Sequence, residues 1–393
     1  MVASTGSFTR LTFWPLRKAY PSVADGYSGL VRPVAFSPDG KWLATSWGDG
    51  RLRLWPLPGS GQSEVRSLDL QETATWTTFA FEPKGRFLFA VGDLDRAWVV
   101  PLDGSPARKL KGFSEDTLLS AAGVSASGRF VATAFGYGQG QKTLRVSNLE
   151  TGELRAFDLP KGQRPASGKS EARQAPQGYE RGIISLAFAD ESTLYTAGDG
   201  GLRRWNLESG SHELVAAALP GYAMTMSVSA DARVALMVER RLGGLDCSGA
   251  LVHDLRASTS RPLTEFGECG AWGPVALDPS GTVAAIGGLD GIVQVGRLAG
   301  GKPYLLVGHK GAIAGIAISP DLRWVATAGE DNTLRLWPMP DLSKPALHTL
   351  PHDELLAKLR SLTNLRAVRD PKSATGWTIE VGSFPGWKDV PTW

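Results

Sequence analysis

The stretch from Pro303 to Pro340 constrains the fold more than any other part of the chain, because it reads as four short strands separated by turn signals. Ile313, Gly315 and Ala317 recur at the two-residue period of a strand. The turn that follows contains Pro320, since proline presets the backbone angle needed at the second position of a tight turn. The stretch therefore predicts a small antiparallel sheet.

The same pattern returns along the chain, which indicates a repeat architecture. Seven units are recognisable, and their turn residues are mostly about 40 to 50 residues apart, a period typical of propeller blades. The turn positions are Pro38, Pro83, Ala126, Asp190, Ala230, Pro279 and Pro320. The long interval before the fourth unit holds residues 161–182, whose polar, basic and Gly/Pro/Ser-containing composition predicts a flexible inserted loop.

The unit from Pro303 to Pro340 resembles a WD40 repeat, with Gly308 and His309 at its start and Leu334-Arg335-Leu336-Trp337 at its end. It departs from the family in ending Trp-Pro where Trp-Asp is usual. The resemblance implies an all-β fold, a WD40-type β-propeller of four-stranded blades.

By the same resemblance, each well-preserved blade is expected to contain a buried polar network. In the last unit His309 would bond Asp331, and Thr327 would link this pair to the indole N–H of Trp337. A buried Trp and a buried His both require hydrogen-bond partners, so a structural role for these residues is favoured over a catalytic or metal-binding one. The matching residues of two other units are Thr45, Asp49, Trp55, Thr196, Asp199 and Trp205. Trp98 lies near the Trp position in the second unit, and Ser147 replaces that Trp in the third.

The two chain ends leave the number of blades open between seven and eight. The sequence LTFWP at residues 11–15 matches the third strand of a blade, residues 352–362 predict a short amphipathic helix, and residues 364–393 predict a hairpin and tail. We favour eight blades with the last one shared by both termini, because that accounts for both ends. The alternative is seven blades clasped by an N-terminal outer strand, with ALHTL at residues 346–350 as a further outer-strand candidate. In either case residues 1–393 form a single propeller.

Composition narrows the function classes. The net charge of +3 comes from scattered basic residues, whereas a nucleic-acid-binding protein is expected to concentrate them in a stripe. The two cysteines, Cys247 and Cys269, make no disulfide framework, and the five histidines show no metal-ligand spacing. We expect no cofactor, no metal, no catalytic residue, no nucleic acid and no membrane insertion, since no run of about 18 apolar residues occurs. A cytoplasmic monomer is expected, with an extracytoplasmic domain of a longer protein as the alternative.

The departures from the repeat carry the functional hypothesis. In WD40 blades the connections from second to third strand and from outer strand to the next blade share one face, called the top. Residues 136–141, 161–182, 240–248 and the helix at Asp353 are assigned to those connections, so they predict a binding face for a protein or peptide partner. Candidate contacts, chosen because arginine and aromatic side chains are enriched in interface hot spots, are Tyr137, Arg181, Arg240 and Arg241.

Two alternatives to this interaction scaffold remain open. The ending SFPGWKDVPTW resembles the ends of some bacterial WD40 proteins, several of which carry a signalling kinase, so a sensor or regulatory domain of a larger kinase, protease or ATPase is one. A propeller enzyme with carboxylates lining its channel is the other, and it is less favoured because the fold alone implies no chemistry.

Overall fold

The fold is taken from a computed structural model. It describes residues 2–5, 11–14, 22–24, 33–68, 70, 76–92, 96–111, 118–137, 143–158, 182–198, 201–217, 222–241, 247–266, 274–355, 357, 365–369 and 377–381.

The described residues form an all-β structure of seven four-stranded antiparallel sheets, which we call blades 1 to 7. Three short strands precede blade 1: β1 (Val2–Thr5), β2 (Leu11–Trp14) and β3 (Ser22–Ala24). Blade 1 contains β4 (Val34–Phe36), β5 (Trp42–Ser46), β6 (Leu52–Pro56) and β7 (Arg66–Leu68). Blade 2 contains β8 (Trp76–Phe81), β9 (Phe87–Gly92), β10 (Arg96–Pro101) and β11 (Arg108–Lys109).

The next four blades follow in chain order. Blade 3 contains β12 (Leu118–Val124), β13 (Phe130–Tyr137), β14 (Thr143–Asn148) and β15 (Leu154–Asp158). Blade 4 contains β16 (Ile183–Phe188), β17 (Thr193–Gly198), β18 (Gly201–Asn206) and β19 (His212–Ala216). Blade 5 contains β20 (Tyr222–Val228), β21 (Val234–Arg241), β22 (Cys247–Asp254) and β23 (Thr259–Pro262), followed by a 3-10 turn at Thr264–Phe266. Blade 6 contains β24 (Val275–Leu277), β25 (Val283–Gly287), β26 (Ile292–Arg297) and β27 (Tyr304–Val307).

Blade 7 is assembled from both ends of the chain. Its three inner strands are β28 (Ile313–Ile318), β29 (Trp324–Gly329) and β30 (Leu334–Pro338), and its outer strand is the N-terminal β3. After it come a 3-10 turn at Leu347–Thr349, helical residues 352–355 and 357, β31 (Leu365–Arg369) and β32 (Trp377–Val381). The remainder of the expected helix, residues 358–362, lies outside the described residues, as does the inserted loop at 161–181.

The turn between the first two strands of a blade shows why the recurrent Ser-Pro-Asp sequence suits it. In blade 7 the hydroxyl of Ser319 donates to Asp321 at 2.6 Å and accepts the backbone N–H of Trp324 at 2.9 Å. Ser37 and Asp39 make the same pair of bonds in blade 1, at 2.6 and 2.9 Å. These side chains hold the turn closed by replacing backbone partners, which is the ordinary use of Ser and Asp in turns.

The apolar core consists of seven clusters, each shared by two neighbouring blades. One cluster joins Trp324 and Leu336 of blade 7 to Phe36 and Leu43 of blade 1, so the last blade packs directly on the first. Both faces of every blade are therefore buried against a neighbour, and the described blades close into a ring.

The ring has seven blades, so the preference for eight was wrong and the seven-blade alternative is confirmed. β3 pairs with β30, with Ser22 opposite Leu336 and Ala24 opposite Leu334, and it completes blade 7 as a fourth strand. Since blade 7 also packs on blade 1, no gap remains for an eighth blade. β1 pairs with β2, and β31 pairs with β32, as separate two-stranded sheets.

Two local expectations about the ends were also wrong. LTFWP does not serve as the third strand of a blade, because Leu11–Trp14 pairs only with β1 among the described strands. Residues 346–350 do not form an outer strand, because Leu347–Thr349 is a 3-10 turn and β3 already occupies that edge.

The antiparallel order defines two faces of the ring. Within a blade the first strand runs away from the top face, the second returns to it, the third leaves it and the fourth returns. The second-to-third-strand turns and the connections between blades therefore lie at the top. The first-to-second and third-to-fourth turns lie on the opposite, bottom face.

Removing the N-terminal clasp should destabilise the ring selectively. Deleting residues 1–24 takes away β3 and leaves the edge of β30 unpaired, at a cost of about 1 kcal/mol for each of its few backbone hydrogen bonds. We expect a clear fall in the midpoint of urea unfolding. Deleting residues 1–14 removes β1 and β2 but keeps β3, and serves as the control. Equal midpoints for the two truncations would contradict the clasp.

Candidate functional site

The buried polar network of blade 7 connects four side chains. Thr327 lies on β29 and Trp337 on β30, while His309 precedes β28 and Asp331 lies in the turn between β29 and β30. The indole N–H of Trp337 donates to the hydroxyl of Thr327 at 2.8 Å, and Nε2 of His309 lies 2.7 Å from the same hydroxyl. On the other side of the imidazole ring, Nδ1 of His309 lies 2.9 Å from Asp331 Oδ1. Since Thr327 accepts from Trp337, its own proton points to His309 Nε2, and Nδ1–H then donates to the carboxylate. The structure thus brings the four predicted residues together as one chain of hydrogen bonds.

The electrostatics of this network favour a neutral histidine beside an ionised aspartate. Burial lowers the pKa of His309, because the imidazolium would lose its hydration. A second proton on the imidazole would sit on Nε2, where it would meet the Thr327 hydroxyl that already donates to this nitrogen. Asp331 has its pKa lowered to about 2; desolvation opposes this, but hydrogen bonds from His309, the Lys310 N–H and Thr333 outweigh it.

Blades 1 and 4 retain only part of the network. Trp55 donates to Thr45 at 2.8 Å, and Trp205 donates to Thr196 at 2.8 Å. In blade 1 the side chain of Asp49 pairs with Arg53, the residue two positions before Trp55. Asp199 lies outside the described residues.

Blades 2 and 3 show what happens when the tryptophan is lost. Strand register places Val100, not Trp98, opposite Leu88 at the position of Trp337, so the expectation for Trp98 was wrong by two residues. In blade 3 Ser147 holds that position, and Thr133 remains where Thr327 stands in blade 7. The buried Thr133 hydroxyl has no hydrogen-bond partner within the described part of the chain.

Blades 5 and 6 fill the tryptophan position differently, and sequence reasoning missed both substitutions. His253 stands there in blade 5, 1% exposed, with Nδ1 2.7 Å from the Ser260 hydroxyl and Nε2 unpartnered among the described atoms. Gly296 stands there in blade 6, where a Cβ would lie only 3.1 Å from the ring of Phe266. Phe266, on the 3-10 turn of the preceding connection, thus occupies space that an indole fills elsewhere. A glycine in a strand signals such a close approach, but the sequence does not name the residue that approaches.

The predicted contact residues fall at the ends of extended strands or outside the described part. β13 ends at Tyr137, and β21 ends with Arg240 and Arg241; each strand has eight residues, against six in β29. The side chains of these three residues, and the whole of Arg181, lie outside the described residues.

Three of the four irregular segments belong to top-face connections by strand order. Residues 136–141 and 240–248 connect second and third strands, and residues 161–182 connect blades 3 and 4. The assignment of the Asp353 helix was wrong, because the chain leaves blade 7 from the bottom end of β30, a third strand, before reaching it.

Metal-ligand clusters and membrane-spanning helices are both absent from the described residues. No group of three or more His, Cys, Asp or Glu side chains there is arranged to hold a metal ion. No helix in the same residues is long and apolar enough to cross a membrane. Cys247 opens β22, Cys269 lies outside the described part, and the side chain of neither is described.

Comparison with known proteins agrees with the geometry of the blades. The family model described as WD domain, G-beta repeat matches residues 25–56 and 301–338, which cover most of blades 1 and 7. Both blades contain the Thr–Trp hydrogen bond described above. The protein is a seven-bladed β-propeller that contains WD40 repeats.

Two curated relatives are similar to this WD40 propeller. Periodic tryptophan protein 2 homolog of Mus musculus is 31% identical over 156 residues, covering 35% of this chain and 15% of that protein. Apoptotic protease-activating factor 1 of Danio rerio is 24% identical over 340 residues, covering 85% of this chain and 25% of that protein. The chain thus spans a quarter or less of the length of either relative. Both are animal proteins, so the resemblance to bacterial WD40 proteins stays a prediction.

The two equivalent threonines of blades 7 and 3 offer a matched test of the network. Thr327→Val leaves the Trp337 indole N–H and His309 Nε2 buried without partners, and we expect a loss of about 2–4 kcal/mol in the free energy of unfolding. Thr133→Val removes a hydroxyl that has no partner among the described residues, so it should be neutral or slightly stabilising. Urea unfolding of both variants measures the difference, and equal losses would contradict the assigned network.

The protonation states predict a pH dependence. The unfolded chain binds a proton on His309 near pH 6.5 while the folded protein resists it, so stability should fall as pH decreases below about 6.5. Asp331 adds a second loss between about pH 4 and its folded pKa of about 2, because only the unfolded state is protonated there. His309→Gln should flatten the slope of unfolding free energy between pH 7 and 5 relative to the parent protein. Parallel slopes for the two proteins would refute a neutral buried His309.

Proposed function

We propose that this WD40 propeller is a non-catalytic scaffold whose top face binds a protein or peptide partner. The observation that carries the proposal is the extension of blades 3 and 5 on that face. Beyond the point where β29 ends, β13 and β21 each continue for two more residues, or about 7 Å of strand. Blades 3 and 5, one on either side of blade 4, therefore have second strands that extend further toward the top face than the five- or six-residue second strands of the other blades.

The contact residues in this proposal are Tyr137 at the end of β13 and Arg240 and Arg241 at the end of β21, with Arg181 in the connection between blades 3 and 4. Aromatic and arginine side chains contribute most to interface hot spots, because they bury large surfaces and donate several hydrogen bonds. Partner binding by a cytoplasmic monomer, without cofactor or nucleic acid, completes the proposal.

The absence of catalysis is part of the same proposal. The polar side chains that define the repeat, His309, Thr327 and Asp331, satisfy one another inside blade 7 and are buried. Groups used in this way stabilise the fold, and function in such repeat proteins is carried by surfaces.

A second candidate is a sensor or regulatory domain of a larger signalling protein. It is favoured by one observation: 85% of this chain aligns within 25% of the length of apoptotic protease-activating factor 1. In that arrangement the top face would hold a neighbouring domain of the same polypeptide.

The top face can be tested by capture from a soluble extract of the source cells, with bound proteins quantified by mass spectrometry. A variant with Tyr137, Arg181, Arg240 and Arg241 all changed to Ala should lose at least tenfold in its specific captured partners. The control changes Arg129, Arg233 and Arg323 to Ala, which removes the same charge from first-to-second-strand turns of the bottom face. Undiminished capture by the top-face variant, or equal loss in both, would overturn the proposal.

A further inference from the structure

A recurrent contact bridges neighbouring blades on the bottom face. In every blade the residue after the third strand donates its backbone N–H to the carbonyl of the residue just before the second strand. In blades 3, 4, 5 and 6 the donating residues are Leu149, Leu207, Leu255 and Leu298. The carbonyls of three of them accept an arginine from the preceding blade. Arg108 donates to Leu149 at 3.3 Å, Arg155 to Leu207 at 2.5 Å and Arg261 to Leu298 at 2.5 Å.

These three arginines occupy one structural position. Each lies on an outer strand, opposite a valine of the third strand: Arg108 opposite Val99, Arg155 opposite Val146, Arg261 opposite Val252. In blades 2, 3 and 5 the position therefore supplies a guanidinium that closes the crevice to the next blade. In blade 1 it holds Arg66, opposite Leu54, whose guanidinium lies over the Trp42 ring of the same blade. In blade 6 the position holds Tyr304, whose hydroxyl reaches the Asp341 and Lys344 carbonyls of blade 7 at 2.9 and 2.7 Å.

Blade 4 reverses this chemistry. The outer-strand position holds Glu213, and the residue opposite it is Arg204, where blades 2, 3, 5 and 6 have valine. The two side chains pair with each other at 2.5 Å and stay within blade 4. Within the described part of the chain, no side chain donates across the crevice to the carbonyl of Leu255, the equivalent acceptor in blade 5.

The crevice between blades 4 and 5 is correspondingly large. Its volume is about 690 Å³, whereas the crevice that Arg155 crosses measures about 310 Å³ and the one beside Tyr304 about 230 Å³. Its lining includes three carboxylates, Asp190, Glu213 and Asp231, and two guanidiniums, Arg204 and Arg256. The carboxylates outnumber the guanidiniums by one in this lining, in which Arg204 pairs with Glu213; Arg233, beside the lining, pairs with Asp231 at 3.2 Å.

We propose that this crevice binds an arginine side chain presented by a peptide segment of a partner protein. The incoming guanidinium takes the place that Arg108, Arg155 and Arg261 fill in three other crevices. It donates to the Leu255 carbonyl and shares the carboxylate of Glu213 with Arg204. Guanidinium suits this site better than ammonium, because its planar fork donates to two acceptors at once. The site lies on the bottom face and is independent of the top-face surface proposed above.

The test uses the full-length protein and the end-blocked tripeptide acetyl-Gly-Arg-Gly-amide, titrated by calorimetry or NMR. We expect one tripeptide to bind per chain, with at least tenfold weaker binding of the versions that carry lysine or citrulline in place of arginine. If no binding is detected at tripeptide concentrations up to about 10 mM, a very weak dissociation constant on the scale of protein–ligand affinities, the proposal is overturned. Equal binding of the citrulline peptide would overturn the role of charge, and equally tight binding of free arginine would overturn a peptide as the ligand.

Three variants locate the site. The double variant Arg204→Val, Glu213→Arg recreates the Val146–Arg155 arrangement, so it should lose tripeptide binding at least tenfold while unfolding at the same or a higher temperature. Glu213→Gln changes an exposed side chain, so the fold should be unaffected. This variant should weaken tripeptide binding several-fold. Arg155→Ala, also an exposed position, empties the crevice between blades 3 and 4 and should add a second, weaker site. Unchanged binding in either Glu213 variant would overturn the assignment to this crevice.

Discussion

The packing of each blade against its two neighbours is the constraint on which the rest of this structure depends. A four-stranded antiparallel sheet with two apolar faces is not stable in water by itself, because both faces must be covered. The chain covers them by placing one apolar cluster at every junction, and the ring is complete only when the cluster between blades 7 and 1 forms. Closure therefore stabilises all seven blades together, and the three-residue strand β3 links the two ends of the chain at that junction.

The polar network is secondary to this packing, and the blades show it by tolerating its loss. Blade 7 has the whole network, blades 1 and 4 keep the Thr–Trp bond, and blade 3 keeps the threonine without a partner. Where the tryptophan is missing, the position holds Val100 in blade 2, Ser147 in blade 3 and His253 in blade 5, and in blade 6 the Phe266 ring lies beside Gly296. The apolar clusters between blades persist where these hydrogen bonds are lost, as expected if burial supplies most of the stabilisation.

Sequence reasoning reached the repeat and its strands from local spacing, and it reached the propeller class and the blade 7 network from the resemblance to WD40 repeats. Turn residues recur at a fixed period, and the four network residues lie within 29 residues of one another, His309 to Trp337. The register of blade 2 was missed because Trp98 and Val100 are two residues apart. A shift of two keeps a side chain on the same face of a strand, so alternation does not distinguish the two positions. The blade count depended on β3, whose three residues, Ser-Val-Ala, carry no pattern of their own.

The crevice between blades 4 and 5 illustrates a further limit of sequence reasoning and the way a repeat overcomes it. Glu213 and Arg204 are ordinary surface residues in the sequence, nine positions apart, and their type alone suggests only an exposed ion pair, which contributes little to stability. Their meaning comes from comparison with Val99–Arg108, Val146–Arg155 and Val252–Arg261, which strand register makes equivalent. Because blades 2, 3 and 5 show an arginine at this position bridging to the next blade, the ring contains its own reference. An exchange that withdraws the bridging guanidinium from one junction, and places a carboxylate there, changes that junction from a contact between blades into a surface that can accept a cation from outside.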